Sequence, residues 1–161
     1  MLYFLIAVFV TAFDQLFKRW IVATIPLSGY KAMIPGIIHL TYVRNTGAAF
    51  SIFTDMRLFL TILTSAMIIG LAVFVIKANI TKLQKIALCA VMGGAVGNLI
   101  DRLVLGYVVD MFEVEFMNYA VFNVADCFIV VGGILFCALY VFGTANDGKK
   151  DSAENLNDDQ N

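Results

Sequence analysis

The stretch KIALCAVMGGAVGNLIDR, residues 85–102, decides what kind of chain this is. Between Lys85 and Asp101 only Asn98 is polar, and a run of that length approaches the roughly 20 residues a helix needs to cross a bilayer. Gly93 and Gly97 stand four apart, the small-xxx-small spacing that lets a second helix approach closely. Asn98, Asp101 and Arg102 follow at spacings of three and four, so they share one helical face. The helix is apolar along its length and polar at one end.

Three further runs have the same texture. The expected spans lie near residues 2–24, 57–76, 85–105 and 123–143. The chain is 61% hydrophobic and 14% charged, against about a quarter charged in a soluble domain, so it reads as a polytopic membrane protein. The fold class expected is all-α with four transmembrane helices. The first run lacks a basic leader and carries Asp14, Gln15 and Lys18, so it reads as a retained helix and not as a secretory signal.

Residues 25–56 differ, with Pro26, Gly29, Pro35, Gly36 and Gly47. Within them Ile38-His39-Leu40-Thr41-Tyr42-Val43 alternates and is rich in β-branched and aromatic residues, which predicts a short strand or hairpin at the membrane surface. Residues 1–143 are expected to form one integral-membrane domain. Residues 144–161 are polar and acidic and are expected to be a disordered tail.

Composition also excludes. A formal net charge of −1 without a basic cluster gives no reason to expect nucleic acid. Cys89, Cys127 and Cys137 lie in apolar runs without CxxC or Cys/His spacing, and His39 is the single histidine. Neither a disulfide framework nor a metal site is expected, and no cofactor. Four spans put both termini on one side. The compact Lys77, Lys82 and Lys85 loop favours the cytoplasm on its own side. The other side carries Lys18, Arg19, Lys31, Arg44, Arg57 and Arg102, several of them beside carboxylates. Weighting the loop puts both termini in the cytoplasm and the acid-rich end outside.

Asp14, Asp101, Asp110 and Asp126 lie in or at the rim of these apolar segments, where a carboxylate is costly and marks a functional candidate. Asp14 and Lys18 are four apart with the acid first, an arrangement that suits an ion pair as well as it suits catalysis. Asp110 and Asp126 bracket what reads as one short loop, which places two carboxylates near one membrane surface. Asn123 precedes Asp126 by three and suits an N-cap. A proton- or ion-coupled transporter is the main rival reading, and a helix-gluing adaptor the second. No internal repeat supports a transporter, and Asp101, Asp110 and Asp126 gather at one surface instead of spanning the membrane.

In order and spacing, DQLFK (14–18), RNTGAAF (44–50), GGAVGNLIDR (93–102), VVD (108–110) and FNVAD (122–126) resemble the lipoprotein signal peptidases, signal peptidase II. The resemblance covers nearly the whole chain except the tail. It implies an aspartic endopeptidase of the bacterial cytoplasmic membrane with a small β-rich extracytoplasmic cradle. The substrate implied is a prolipoprotein cut just before its diacylglyceryl-modified cysteine. By the resemblance, Asp110 and Asp126 are the catalytic pair. Asn45, Asn98, Arg102 and Asn123 line the site and hold substrate, and Asp14, Lys18, Asp101 and Gly47 support it. The partners implied are lipid-modified prolipoproteins and membrane lipids, with the protein a monomer. The family pattern usually reads VVDF, whereas Met111 follows Asp110 here, from which a repacked neighbour is expected.

Overall fold

The computed structural model describes residues 2–47 and 56–158, with 143–158 as helix backbone only. Ala48, Ala49 and Phe50 of the RNTGAAF stretch lie outside the described residues, as does 51–55. The element order is α1 (Phe4–Thr24), β1 (Tyr30–Ile34), β2 (Ile38–Asn45), α2 (Arg57–Lys77), α3 (Lys82–Val104), β3 (Val108–Val114) and α4 (Val124–Asp158).

Helix α3 is the central element and packs against the other three helices. Thr81 starts it with a reciprocal cap: the Thr81 hydroxyl accepts the Gln84 N–H at 3.3 Å and the Thr81 N–H donates to Gln84 Oε1 at 2.8 Å. Gly106, at φ +88°, ends it and turns the chain into β3. The expected glycine spacing serves packing within the chain. A Cβ on Gly93 would lie 2.6 Å from the Ala7 carbonyl oxygen, and one on Gly97 2.5 Å from Asp14 Oδ2, so α1 can pack here only against glycine.

Among the described residues, three helices are long and apolar enough to cross a membrane: α2, α3 and residues Val124–Phe142 of α4. The sequence reading expects four. Helix α1 matches α2 in length, at 21 residues, but carries Asp14, Lys18 and Arg19. Helix α4 is helical through Asp158, past residue 144, where the sequence turns polar and a disordered tail is expected.

The sheet is antiparallel in the order β1-β2-β3. Its third strand is a correction to the sequence reading, which places Asp110 at the edge of a loop. Residues 108–114 instead pair along β2, with Val43 opposite Asp110 and Asn45 opposite Val108. Between the Leu40–Phe112 and Val43–Asp110 pairs, Thr41 and Tyr42 of β2 face Met111 of β3, a bulge in β2. The Met111 N–H turns to the Phe122 carbonyl at 3.0 Å and ties β3 to the segment that leads into α4. Met111 itself is fully buried with Ile21, Val109 and Val124, while the Phe112 ring packs tilted against Phe17 and Phe122. The neighbour expected to repack fills the core between sheet and helices.

Candidate active site

Asp126 is the third residue of α4, and its position is set by a cap. Asn123 Oδ1 accepts the Asp126 N–H at 2.9 Å, and Asp126 Oδ2 accepts the Asn123 N–H at 3.1 Å. This is the reciprocal geometry of a capping box, made with asparagine and aspartate. The backbone N–H fixes which end of the amide faces the helix, so Asn123 Nδ2 is left to point away. It donates to Asp110 Oδ1 at 2.6 Å. Asp110 Oδ2 accepts from Asn45 Nδ2 at 2.8 Å, a diagonal same-face pair across β2 and β3.

Lys18 fixes Asn98 in the same way. An ammonium can only donate, so its 2.8 Å contact identifies the Asn98 oxygen and leaves Nδ2 to donate to Asp126 Oδ1, also at 2.8 Å. Lys18 lies 2.9 Å from both Asp14 Oδ2 and Asp101 Oδ2, and all three side chains are at most 3% exposed. Gln15, which the sequence reading notes as a polar residue of the first span but does not assign to the site, donates to Asp101 Oδ1 at 2.8 Å and to the Gly97 carbonyl at 3.2 Å. Removing one partner from a buried ion cluster of this kind costs about 3–5 kcal/mol. Among the described residues, no buried side-chain nitrogen or oxygen lacks a partner.

A cavity of about 360 Å³ opens onto both carboxylates. Asn45, Asn98, Arg102, Asp110, Asn123 and Asp126 form its polar end. Thr64 and Met67 of α2, Val91 and Ala95 of α3, and Ile129 and Val130 of α4 form an apolar wall. Beyond Asp110 lies a more polar hollow of about 330 Å³, bounded by Arg44, Asn45, Thr46, Asn118 and Tyr119. Asp110 therefore stands between an apolar chamber and a polar one. Burial pushes its carboxyl up to about 6, with Asp126 adding to the rise, and the hydrogen bonds from Asn45 and Asn123 and the charge of Lys18 hold it back. Arg102 reaches the Gly47 carbonyl at 3.4 Å, which brings the end of β2 over the cavity. Among the described residues, no group of three or more His, Cys, Asp or Glu side chains is arranged to hold a metal.

All ten residues singled out in the sequence thus converge on one hydrogen-bonded assembly. The geometry refines the part played by the asparagines, since Asn45, Asn98 and Asn123 each commit an amide N–H to a carboxylate. Thr64 and Met67 carry no signal that sets them apart in an apolar run. Arg57 donates to the Arg102 and Leu103 carbonyls at 2.7 and 3.1 Å, and its place beside the end of α3 is invisible before the helices are assembled.

Two carboxylates joined through Asn123 at the end of a bundle of long apolar helices suit acid–base chemistry, and the chain is similar to known membrane enzymes. Residues 6–142 match the family model described as Signal peptidase (SPase) II. Proteins named lipoprotein signal peptidase from two strains of Streptococcus pyogenes are each 43% identical over 136 residues, covering 83% of this chain and 89% of theirs. Two solved structures, both described as bacterial membrane enzymes, superpose with TM-scores of 0.83 and 0.78 at 34% identity. They cover 89% and 86% of this chain and 90% and 91% of their own. The chain belongs to the signal peptidase II family.

Proposed function

We propose that this protein is an aspartic endopeptidase that removes signal peptides from prolipoproteins, with Asp110 and Asp126 as its catalytic pair. The observation that carries the reading is Asn123, whose side chain donates to the Asp110 carboxylate and whose backbone N–H donates to the Asp126 carboxylate at the polar end of one cavity. Family membership supports the peptidase and gives the transporter alternative no footing.

Asp110 is the more buried of the two and its carboxyl is pushed up to about 6, so it is assigned the shared proton. Asp126, the less buried of the two, is assigned the part of general base. It takes a proton from a water molecule while the Asp110 O–H polarises the scissile carbonyl. Hydroxide oxygen bonds to the carbonyl carbon, and the tetrahedral oxyanion is met by Asp110 and by the Arg102 guanidinium. The C–N bond then breaks, its electron pair stays on nitrogen, and the amine takes the proton held by Asp126. The remaining amide hydrogens of Asn45 and Asn98 are available to the substrate backbone.

The two chambers suit a lipidated substrate. The diacylglyceryl group on the cysteine takes the apolar wall between α2 and α4, and the polar chain beyond it takes the hollow at Arg44 and Asn118. Cleavage falls just before the modified cysteine.

Helix α1 is the fourth span. Asp14 and Lys18 turn inward, at 0% and 3% exposure, and Arg19 is exposed toward the end of the helix, while Leu5, Val8, Phe9 and Leu16 face outward at 60–66%. Residues 1–143 then form the membrane domain, with both termini cytoplasmic, the site at the outer face and 144–161 an extension outside it. The protein is proposed to work as a monomer.

The test is cleavage in detergent micelles of one prolipoprotein with and without its diacylglyceryl group, by the unmutated protein and by folded Asp110→Asn and Asp126→Asn. Cleavage of the lipidated form alone, lost in both variants, is the expected result. Normal processing by either variant overturns the assignment of the pair.

A further inference from the structure

Asp14 and Asp101 do more than balance the charge of Lys18. Asp14 Oδ1 accepts the backbone N–H of Ala125 at 2.9 Å, and Ala125 directly precedes Asp126. Asp101 Oδ2 accepts the backbone N–H of Val109 at 3.1 Å, and Val109 directly precedes Asp110. Each buried acid thus holds the peptide one residue ahead of one aspartate of the pair. Lys18 sits between the two acids, 2.9 Å from each, and reaches Asp126 a second time through Asn98. Asp14, Lys18, Asp101, Val109 and Ala125 are all at most 3% exposed, so water does not loosen the assembly. A simple ion pair needs only opposite charges and has no reason to reach both backbones at equivalent positions.

We infer that the Asp14–Lys18–Asp101 cluster sets the spacing of the two catalytic aspartates, with Lys18 as its hub. The inference rests on the peptidase reading above. Strand β3 comes from the sheet and α4 from the bundle, and a single ammonium fixes one against the other. All three are positioning residues, since none of them lines the cavity onto which the two carboxylates open. A spacing set this way acts on the chemical step, where a 1 Å misplacement costs about a hundredfold in rate, and leaves substrate binding to the chambers.

The experiment measures kcat and KM separately on the lipidated prolipoprotein in micelles, with unfolding midpoints recorded alongside. The variants are Lys18→Met, Lys18→Arg and the triple Asp14→Asn/Lys18→Met/Asp101→Asn. The triple variant leaves no unpaired buried charge and keeps an oxygen able to accept each backbone N–H, so it folds even where Lys18→Met does not. The expected result is a folded triple variant with KM within about twofold and kcat lowered by about a hundredfold. Lys18→Arg, which keeps the charge but not the reach, falls between it and the unmutated protein. A folded triple variant with unchanged kcat overturns the inference, and so does a loss carried wholly by KM. A triple variant that cannot fold overturns it as well, because the cluster is then a requirement of folding alone. If the unmutated protein does not cleave, the peptidase reading fails first, and that outcome is distinct from any of these.

Discussion

Asp110 and Asp126 meet through Asn123, which caps α4 with its amide oxygen at 2.9 Å from the Asp126 nitrogen and binds Asp110 with its amide nitrogen at 2.6 Å. The side chain that caps α4 also holds the Asp110 carboxylate, and substitution can separate the two tasks. Serine also caps but is too short to reach Asp110. Asn123→Ser is expected to keep the unfolding midpoint near that of the unmutated protein while lowering kcat. Asn123→Ala loses both tasks and about 1 kcal/mol of stability. Parallel midpoint and cleavage measurements on the two variants decide the matter, and an active Asn123→Ser protein removes the link from the mechanism.

The buried carboxyl of Asp110 makes stability depend on pH. Its folded pKa, about 6, lies above the ordinary 3.8, so the folded state holds the proton more tightly than the unfolded chain does. The stabilisation is full below the ordinary value and is lost as the pH rises through about 6. The difference corresponds to roughly 3 kcal/mol at most. Unfolding midpoints between pH 4 and 7 should fall with rising pH in the unmutated protein. The slope should flatten in Asp110→Asn, and equal slopes in both would contradict the assignment.

The same group sets the alkaline limb of kcat/KM, as a property of the coupled pair. Burial raises the Asp110 pKa most and Asp126 adds to it, while Asn45, Asn123 and, least, Lys18 lower it. Removing the Asn45 amide takes away one of the lowering contacts. In Asn45→Ala the limb therefore moves to higher pH even as the maximal rate drops. A limb that moves to lower pH, or not at all, would place the titrating proton elsewhere.

Much of this site is legible in the sequence because its parts are local. Asp14 and Lys18 are one helical turn apart, Asn123 and Asp126 are a cap and its third residue, and Gly93 and Gly97 announce a close helix contact before the partner is known. Strand β3 is not legible in that way. Val108, Val109, Asp110 and Met111 are buried in succession, so the polar–apolar alternation of a half-exposed strand is missing. Its pairing with β2 joins residues 65 apart, as in the Asn45–Asp110 contact, and local pattern carries no information about that. The hub at Lys18 is hidden for the same reason, since its contact with Asn98 spans 80 residues.

Gly97 tests how closely α1 must approach. A methyl group there would meet Asp14 Oδ2 at 2.5 Å, whereas one at Gly133 meets nothing within 4 Å. Gly97→Ala is expected to displace Asp14, to cost about 1–3 kcal/mol by overpacking, and to lower cleavage with it. Gly133→Ala should be neutral or more stable by up to about 1 kcal/mol, because alanine is the better helix former. Indistinguishable midpoints for the two variants would mean that α1 and α3 do not meet at this point.

Arg57 holds the last turn of α3 from outside. Its Nε and Nη2 donate to the carbonyls of Arg102 and Leu103, groups that have no partner within the helix, and its charge complements the negative end of the helix dipole. Arg102, whose side chain lines the cavity, belongs to that same turn. Arg57→Ala should cost about 1 kcal/mol and loosen the placement of Arg102, so KM rises along with the fall in kcat. Lysine keeps the charge but not the planar fork, so Arg57→Lys should recover only part of the loss. Lys31→Ala, on an exposed strand at the sheet edge, should change stability by less than about 0.5 kcal/mol and leave KM unchanged. If Arg57→Ala behaves like Lys31→Ala, the end of α3 holds its own geometry, and Arg102 owes its position to the sheet through Gly47 instead.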